Sequence, residues 1–161
     1  MARLAALEQV TLAEQYGDCD PLDQFPAGVM PSLDVGDAAV RDLGPEHVEC
    51  VIGFDFDLTA PRDQEMLCDI SASFRLVYRM KPLRTEAARR DWAATRAVVD
   101  AWPYWRAYLT STMTSMGLQP LHLSPEPPAE LEAGTREAFD ITRRAEQKAE
   151  AKATKRSGKK D

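Results

Sequence analysis

Residues 48–58, VECVIGFDFDL, alternate without a break. Val48, Cys50, Ile52, Phe54, Phe56 and Leu58 fall on one side, and Glu49, Val51, Gly53, Asp55 and Asp57 on the other. A period of two residues is the signature of a strand with one buried face. Residues 66–80, MLCDISASFRLVYRM, repeat the pattern over a longer span, with Met66, Cys68, Ile70, Ala72, Phe74, Leu76, Tyr78 and Met80 on the apolar side. The segment 59–65, TAPRDQE, reads as a turn, so the two runs predict an antiparallel hairpin with one dry and one wet face. Upstream, PSLDVGD (31–37) predicts a short strand, limited by Pro31 and Gly36 and suited to an edge. Residues 4–16 fit both periods: Leu4 and Leu7 suit a helix, while Val10, Leu12 and Tyr16 suit a strand. The stretch 17–31 reads as a loop by its Gly, Pro and Asp content.

The period changes after Pro82. Residues 85–102 are rich in Ala, Arg and Glu, good helix formers. Pro103 has no N–H to donate, so it is expected to start a new helix or kink the old one. From there the pattern stays helical to Gly117, a suitable residue just past a helix end. Val98, Trp102, Trp105, Leu109, Met113 and Met116 are spaced 4, 3, 4, 4 and 3 apart, one apolar stripe. Ala101, Tyr104 and Tyr108 add a second stripe beside it. Residues 118–123, LQPLHL, return to alternation, with Leu121 and Leu123 on one side and His122 on the other. Residues 125–134 read as a Pro-rich linker. The tail, 135–161, holds only Phe139 and Ile141 as large apolar groups and predicts a helix from about 135 to 153 followed by a disordered basic end.

Charge divides the chain. Residues 135–161 carry nine Lys and Arg against five Asp and Glu, while residues 1–134 carry 11 against 21. An acidic body argues against nucleic acid as a partner. No apolar run reaches the roughly 18–20 residues of a membrane helix, and the N-terminus lacks the apolar core of a signal peptide, so the expected location is cytoplasmic. Three Cys residues, with no CxxC pair, make a poor disulfide framework, and the registers of Cys50 and Cys68 predict buried free thiols. Those Cys and two isolated His, His47 and His122, do not make a zinc site.

Candidate chemistry is sparse. Asp55, Asp57 and Asp69 lie on the wet side of the hairpin, whereas catalytic carboxylates need a partly buried setting that separates their pKa values. A solvated sheet face comes first, a protein-docking surface second, and a catalytic site last. His122 sits between leucines as an exposed or satisfied side chain, and no nucleophile motif is present. Two Trp, two Tyr and two Met between positions 102 and 116 exceed what one helix hides under a small sheet, so part of this surface is expected to meet a subunit or a polypeptide.

Three motifs occur in an order that resembles the SecB family of export chaperones. WPYWR (102–106) is similar to the family's aromatic-Pro-Tyr-x-Arg at the start of its long helix, with Pro103, Tyr104 and Arg106 in matching places. MGLQPLHL (116–123) resembles its Gly-aromatic/Leu-x-Pro-x-Leu-x-Leu segment, and EMLCDIS (65–71) its apolar-Leu-Cys-acidic strand. The resemblance spans roughly residues 4–124 and makes residues 4–16 strand one. It implies an α+β fold, a four-stranded antiparallel sheet packed on a long helix in the C-terminal half. The implied organisation is a chaperone domain over 1–124, the linker 125–134 and the tail 135–161.

The resemblance also implies a function: an ATP-independent holdase for unfolded or preprotein polypeptides, cytoplasmic, assembled as a homotetramer from a dimer of dimers. No enzyme activity, cofactor or metal is implied. The client or oligomer surface would be drawn from Trp102, Tyr104, Trp105, Tyr108, Leu109, Met113, Met116, Leu118, Leu121 and Leu123. Glu14, Asp18, Leu67 and Asp69 match the sheet face through which the family docks the SecA motor. Family members that serve in export end in an acidic tail; the basic tail here argues against motor docking through that segment. The alternatives are a dedicated chaperone of one partner, such as an antitoxin, and an adaptor protein reusing the fold.

Overall fold

The computed structural model describes residues 5–19, 28–62, 65–81 and 85–157. Positions 20–27, read from sequence as loop, Leu4 and residues 158–161, read as the disordered basic end, lie outside the described residues. The element order is β1 (Ala5–Cys19), β2 (Met30–Asp42), β3 (His47–Thr59), β4 (Met66–Met80), α1 (Glu86–Ser115) and α2 (Ala129–Ser157). The strands form one antiparallel sheet in the order β1-β4-β3-β2, so β1 and β2 are its two edges.

The hairpin is the centre of the sheet. Cys50 lies opposite Leu76, Ile52 opposite Phe74, Phe54 opposite Ala72, and Phe56 opposite Ile70. All of these side chains are buried on one face, beneath α1. β1 joins β4 with two register shifts, at Leu7/Gln9 and Leu12/Glu14. Residues 4–16, ambiguous by periodicity, are thus strand from Ala5, and the strand runs on to Cys19. Each bulge adds one residue, and this is what blurs the period in that segment.

β2 is longer than its sequence suggests, running from Met30 to Asp42. Gly36 does not end it. The register shifts between Val35 and Ala38, a bulge that absorbs Gly36 and Asp37. A Cβ at Gly36 would stand 2.5 Å from Asp55 Oδ2, so any other residue there requires the Asp55 carboxylate to move aside. Pro31 is tolerated because the strand is an edge.

The cysteine expectation requires correction. Cys19 and Cys68 are direct partners in the β1–β4 ladder and are joined by a disulfide. Cross-strand register, invisible in spacing along the chain, brings them together. Closing a long loop between edge and centre stabilises the fold by about 2–4 kcal/mol. Cys50 is the buried free thiol, and burial pushes its pKa well above the ordinary range, leaving it protonated and inert.

α1 is one continuous helix through Pro103. Thr85 caps its start, its hydroxyl accepting from the Ala88 amide at 3.1 Å. Gly117, at φ 76°, ends it: the Leu118 amide donates to the Met113 carbonyl and the Gly117 amide to Thr114. This is the doubly bonded left-handed terminus that glycine favours, with buried Leu118 next to buried Met113. The helix stays on course across Pro103 because its neighbours anchor it to the sheet. Trp105 stacks on Phe54, with ring centroids 5.5 Å apart and planes 15° apart, and Trp102 tilts against the same ring at 6.1 Å. α2 begins at Ala129, inside the segment read as linker, and packs on β2 with Leu131 and Thr135 buried and Phe139 partly so. It runs to Ser157, past the expected end at 153.

The aromatic stack sets the first expectation. Trp105→Ala removes a fully buried indole and leaves a cavity under α1, costing about 3–5 kcal/mol. Urea unfolding followed by circular dichroism measures it; a loss below about 1 kcal/mol would show that α1 is held by other contacts.

Candidate functional site

Three surfaces emerge once the core is assigned. The first derives from the aromatic stripe. Trp102, Trp105, Leu109, Met113 and Leu118 are buried in the core of this chain and present no surface. Tyr104, 47 % exposed, lies on the outer side of α1. Tyr108 and Met116 are partly buried and reach β1: the Tyr108 hydroxyl donates to the Tyr16 carbonyl at 3.4 Å, and a Cβ at Gly17 would stand 2.9 Å from Met116 Cε. Leu121 and Leu123 line a cleft instead.

That cleft, about 610 Å³, separates α1 from the segment after it. Its helix wall is Pro103, Arg106, Ala107, Thr110 and Ser111; its other wall is Pro120, Leu121, His122 and Leu123. The helix positions repeat at i, i+3, i+4, i+7 and i+8, so one face of α1 supplies them all. Ala, Thr and Ser at the centre leave the groove open. The arm is held off the helix at both ends. The Gly117 turn fixes one, and the Trp102 indole N–H, donating to the Ser124 carbonyl at 3.0 Å, fixes the other. One tryptophan thus packs its ring on Phe54 and spaces the arm with its nitrogen.

The second surface is β1. α1 rests on β3 and β4 and approaches β1 near Gly17, leaving Leu7, 37 % exposed, and Leu12, 41 % exposed, uncovered on the helix side of the sheet. Register places them opposite Tyr78 and Phe74. A long edge with open backbone groups and apolar side chains invites another chain. Sequence reasoning did not select Leu7 or Leu12. The signal that would have found them is their shared parity with buried β4 residues, and the two bulges conceal it.

The third surface is the open face of the sheet. Here register aligns like charges. Asp34 lies opposite Asp55, Asp57 opposite Asp69, and Asp69 opposite Asp18. Directly opposed like charges are destabilising, by a few tenths of a kcal/mol up to about 1 kcal/mol. Burial, followed by Asp57, Asp69, Asp37 and Asp34, raises the Asp55 pKa; burial, Asp69 and Asp34 raise that of Asp57. Asp18 is the main cause of the raised Tyr16 pKa. The opposite end of the face is ion-paired: Glu8 meets Arg79 at 3.1 Å and His47 at 3.3 Å, and Arg75 meets Glu49 at 3.5 Å. Glu14, with Tyr16, Asp37 and Asp55, borders a hollow of about 330 Å³. Of the four docking residues expected from sequence, Glu14, Asp18 and Asp69 lie on this face. Leu67 does not present itself: it is the extra residue where β4 bulges against Leu58 and Thr59, and it is buried. Among the described residues, no three His, Cys, Asp or Glu side chains are placed to hold a metal. No helix among them is long and apolar enough to cross a membrane.

No family model and no curated protein matches the sequence. Solved structures do match the fold. The Mycobacterium tuberculosis Rv1957 SecB-like chaperone, solved in complex with a ChAD peptide from the Rv1956 HigA1 antitoxin, superposes with a TM-score of 0.62 over 74 % of this chain and 89 % of its own, at 19 % identity. This chain has a SecB-like fold. A Streptococcus agalactiae protein of unknown function also aligns, with a TM-score of 0.35 and 11 % identity over 74 % of this chain and 96 % of its own. On the SecB-like fold, the cleft beside the arm and the exposed edge lie on the helix side of the sheet, and the aspartate rows lie on the other.

The aspartate rows make a measurable prediction. Asp69→Asn removes the charge that faces both Asp57 and Asp18 and is expected to stabilise the fold at pH 7 by roughly 0.2–1 kcal/mol. Asp55 and Asp57 have folded pKa values above the ordinary value, so the folded state takes up their protons first. Their contribution to stability therefore increases as pH falls toward about 4, and the gain from Asp69→Asn shrinks over the same range. Denaturation midpoints between pH 7 and pH 4 check both signs.

Proposed function

We propose that the chain is an ATP-independent holdase that binds extended, apolar, non-native polypeptide and performs no catalysis. The observation that supports this most directly is unfilled apolar surface on a SecB-like fold: the cleft between α1 and the 118–123 arm, together with the open β1 edge. Tyr104, Tyr108, Met116, Leu121 and Leu123 are the accessible or partly accessible members of the surface expected from sequence, and they form the proposed contact set. Trp102, Trp105, Leu109, Met113 and Leu118 support it from beneath.

The proposed assembly is a cytoplasmic homotetramer. Clients would bind weakly at each contact and tightly overall, because several clefts share one chain. The aspartate rows are the proposed docking face for a basic partner, the SecA motor in an export role.

A second reading has a specific support. The Rv1957 chaperone was solved with an antitoxin peptide, so service to a single antitoxin-like partner stands level with export as the biological role. Binding to purified SecA separates the two: a complex supports export, and its absence beside tight binding to one antitoxin supports the dedicated role.

Light scattering from a chemically unfolded client tests the shared claim. Suppression of aggregation near one tetramer per client is the expected result, and no suppression at any ratio contradicts it. Multi-angle light scattering is expected to read about four times 17.9 kDa at micromolar concentration. A single-chain mass would overturn the proposed assembly.

A further inference from the structure

The cleft beside α1 contains one charged side chain, and it has no partner among the described residues. Among the residues lining the cleft, Arg106 is the sole Lys, Arg, Asp or Glu. Its Nε is buried without an acceptor, and among the described residues the side chain makes no ion pair or hydrogen bond. This is unusual in a body with 21 acidic residues against 11 basic ones over positions 1–134. An unpaired buried donor is unfavourable, more so when it belongs to a cation, and such groups are normally satisfied. The cost is recovered if a ligand supplies the acceptor.

The opposite wall points to the kind of ligand. From Gln119 to Leu123 the arm has no regular secondary structure, and its backbone makes no hydrogen bond among the described residues. Open backbone N–H and C=O groups are what an incoming extended chain pairs with. Leu121 and Leu123 offer apolar contact beside them, and Ala107, Thr110 and Ser111 keep the helix wall low enough for a polypeptide to lie between. Guanidinium geometry selects a carboxylate, which accepts two parallel N–H bonds from the planar fork.

We propose that this cleft recognises an extended apolar polypeptide segment carrying one Asp or Glu side chain, and that Arg106 is the residue that selects it. The proposal rests on the holdase reading and adds to it a sequence preference. The acidic body limits that preference to a single carboxylate in an otherwise apolar segment. A polyacidic segment would be repelled by the aspartate-rich body before it reached the cleft.

Fluorescence anisotropy with the full chain and two short labelled apolar peptides, identical but for one central Glu or Gln, tests this. The wild-type protein is expected to bind the Glu peptide about tenfold more tightly, the scale of one charge-assisted hydrogen-bond pair. Arg106→Gln is expected to equalise the two peptides, and an unchanged far-ultraviolet circular dichroism spectrum shows that the variant is folded. Arg106→Lys keeps part of the discrimination, since it keeps the charge and loses the fork. Equal affinities for the two peptides in the wild type overturn the proposal; if aggregation is still suppressed, the holdase reading survives. Equal loss of both peptides in Arg106→Gln also overturns it, by making Arg106 structural. So does a change in assembly mass with discrimination intact, which would assign the cleft to a subunit contact.

Discussion

The stack of Trp105 on Phe54 governs the arrangement of the whole molecule. Both rings are fully buried, 5.5 Å apart and nearly parallel, at the point where α1 crosses the centre of the sheet. Aromatic pairs of this kind add about 0.5–1.5 kcal/mol to the burial of their large surfaces. The stack fixes the rotation of α1 about its axis. Once Trp105 and its neighbour Trp102 face inward, the positions Pro103, Arg106, Ala107, Thr110 and Ser111 must face outward, and these form the helix wall of the cleft. The Trp102 indole then holds the arm through Ser124. Core packing and groove geometry are therefore two consequences of one set of contacts.

This coupling divides the large apolar residues of α1 between two tasks. Those that complete the core are unavailable to any partner, and the proposed binding surface is built from groups left partly exposed: Leu121, Leu123, the ends of Tyr108 and Met116, and the β1 leucines. A surface of this kind suits adaptable contact more than a fixed lock. The open face of the sheet follows different physics. Its opposed aspartates act against folding, while the Arg75 and Arg79 end is ion-paired. The two faces thus present apolar groups and negative charge separately.

Much of this was legible in the sequence, for reasons that can be named. The hairpin of β3 and β4 was visible because its alternation has no bulge until Leu58, and α1 because Gly117 and the 4-3-4-4-3 spacing mark its extent. What was hidden depends on pairing between distant segments. The length of β2 was obscured because Gly36 looks like a terminator, when it lies in a bulge close against the Asp55 carboxylate. The Cys19–Cys68 bond was obscured because only the β1–β4 register brings those residues together. The start of α2 was obscured by prolines that precede it by one turn, and Leu131 and Thr135 bury themselves without a long apolar stripe. Within the candidate site, residue type identified the right segment, 102–123, but not the direction of each side chain. Trp102 and Arg106 lie four residues apart on the same helix, one serving the core and the other the cleft, and only the position of Phe54 decides which is which.

Hydrogen exchange with and without a chemically unfolded client tests the central claim most directly. If the cleft and the edge hold polypeptide, amides from Gln119 to Leu123 and along β1 slow on client addition, while those facing the aspartate rows do not change. Protection confined to the aspartate face, or none at either place, would contradict the assignment of the helix side as the polypeptide-binding surface.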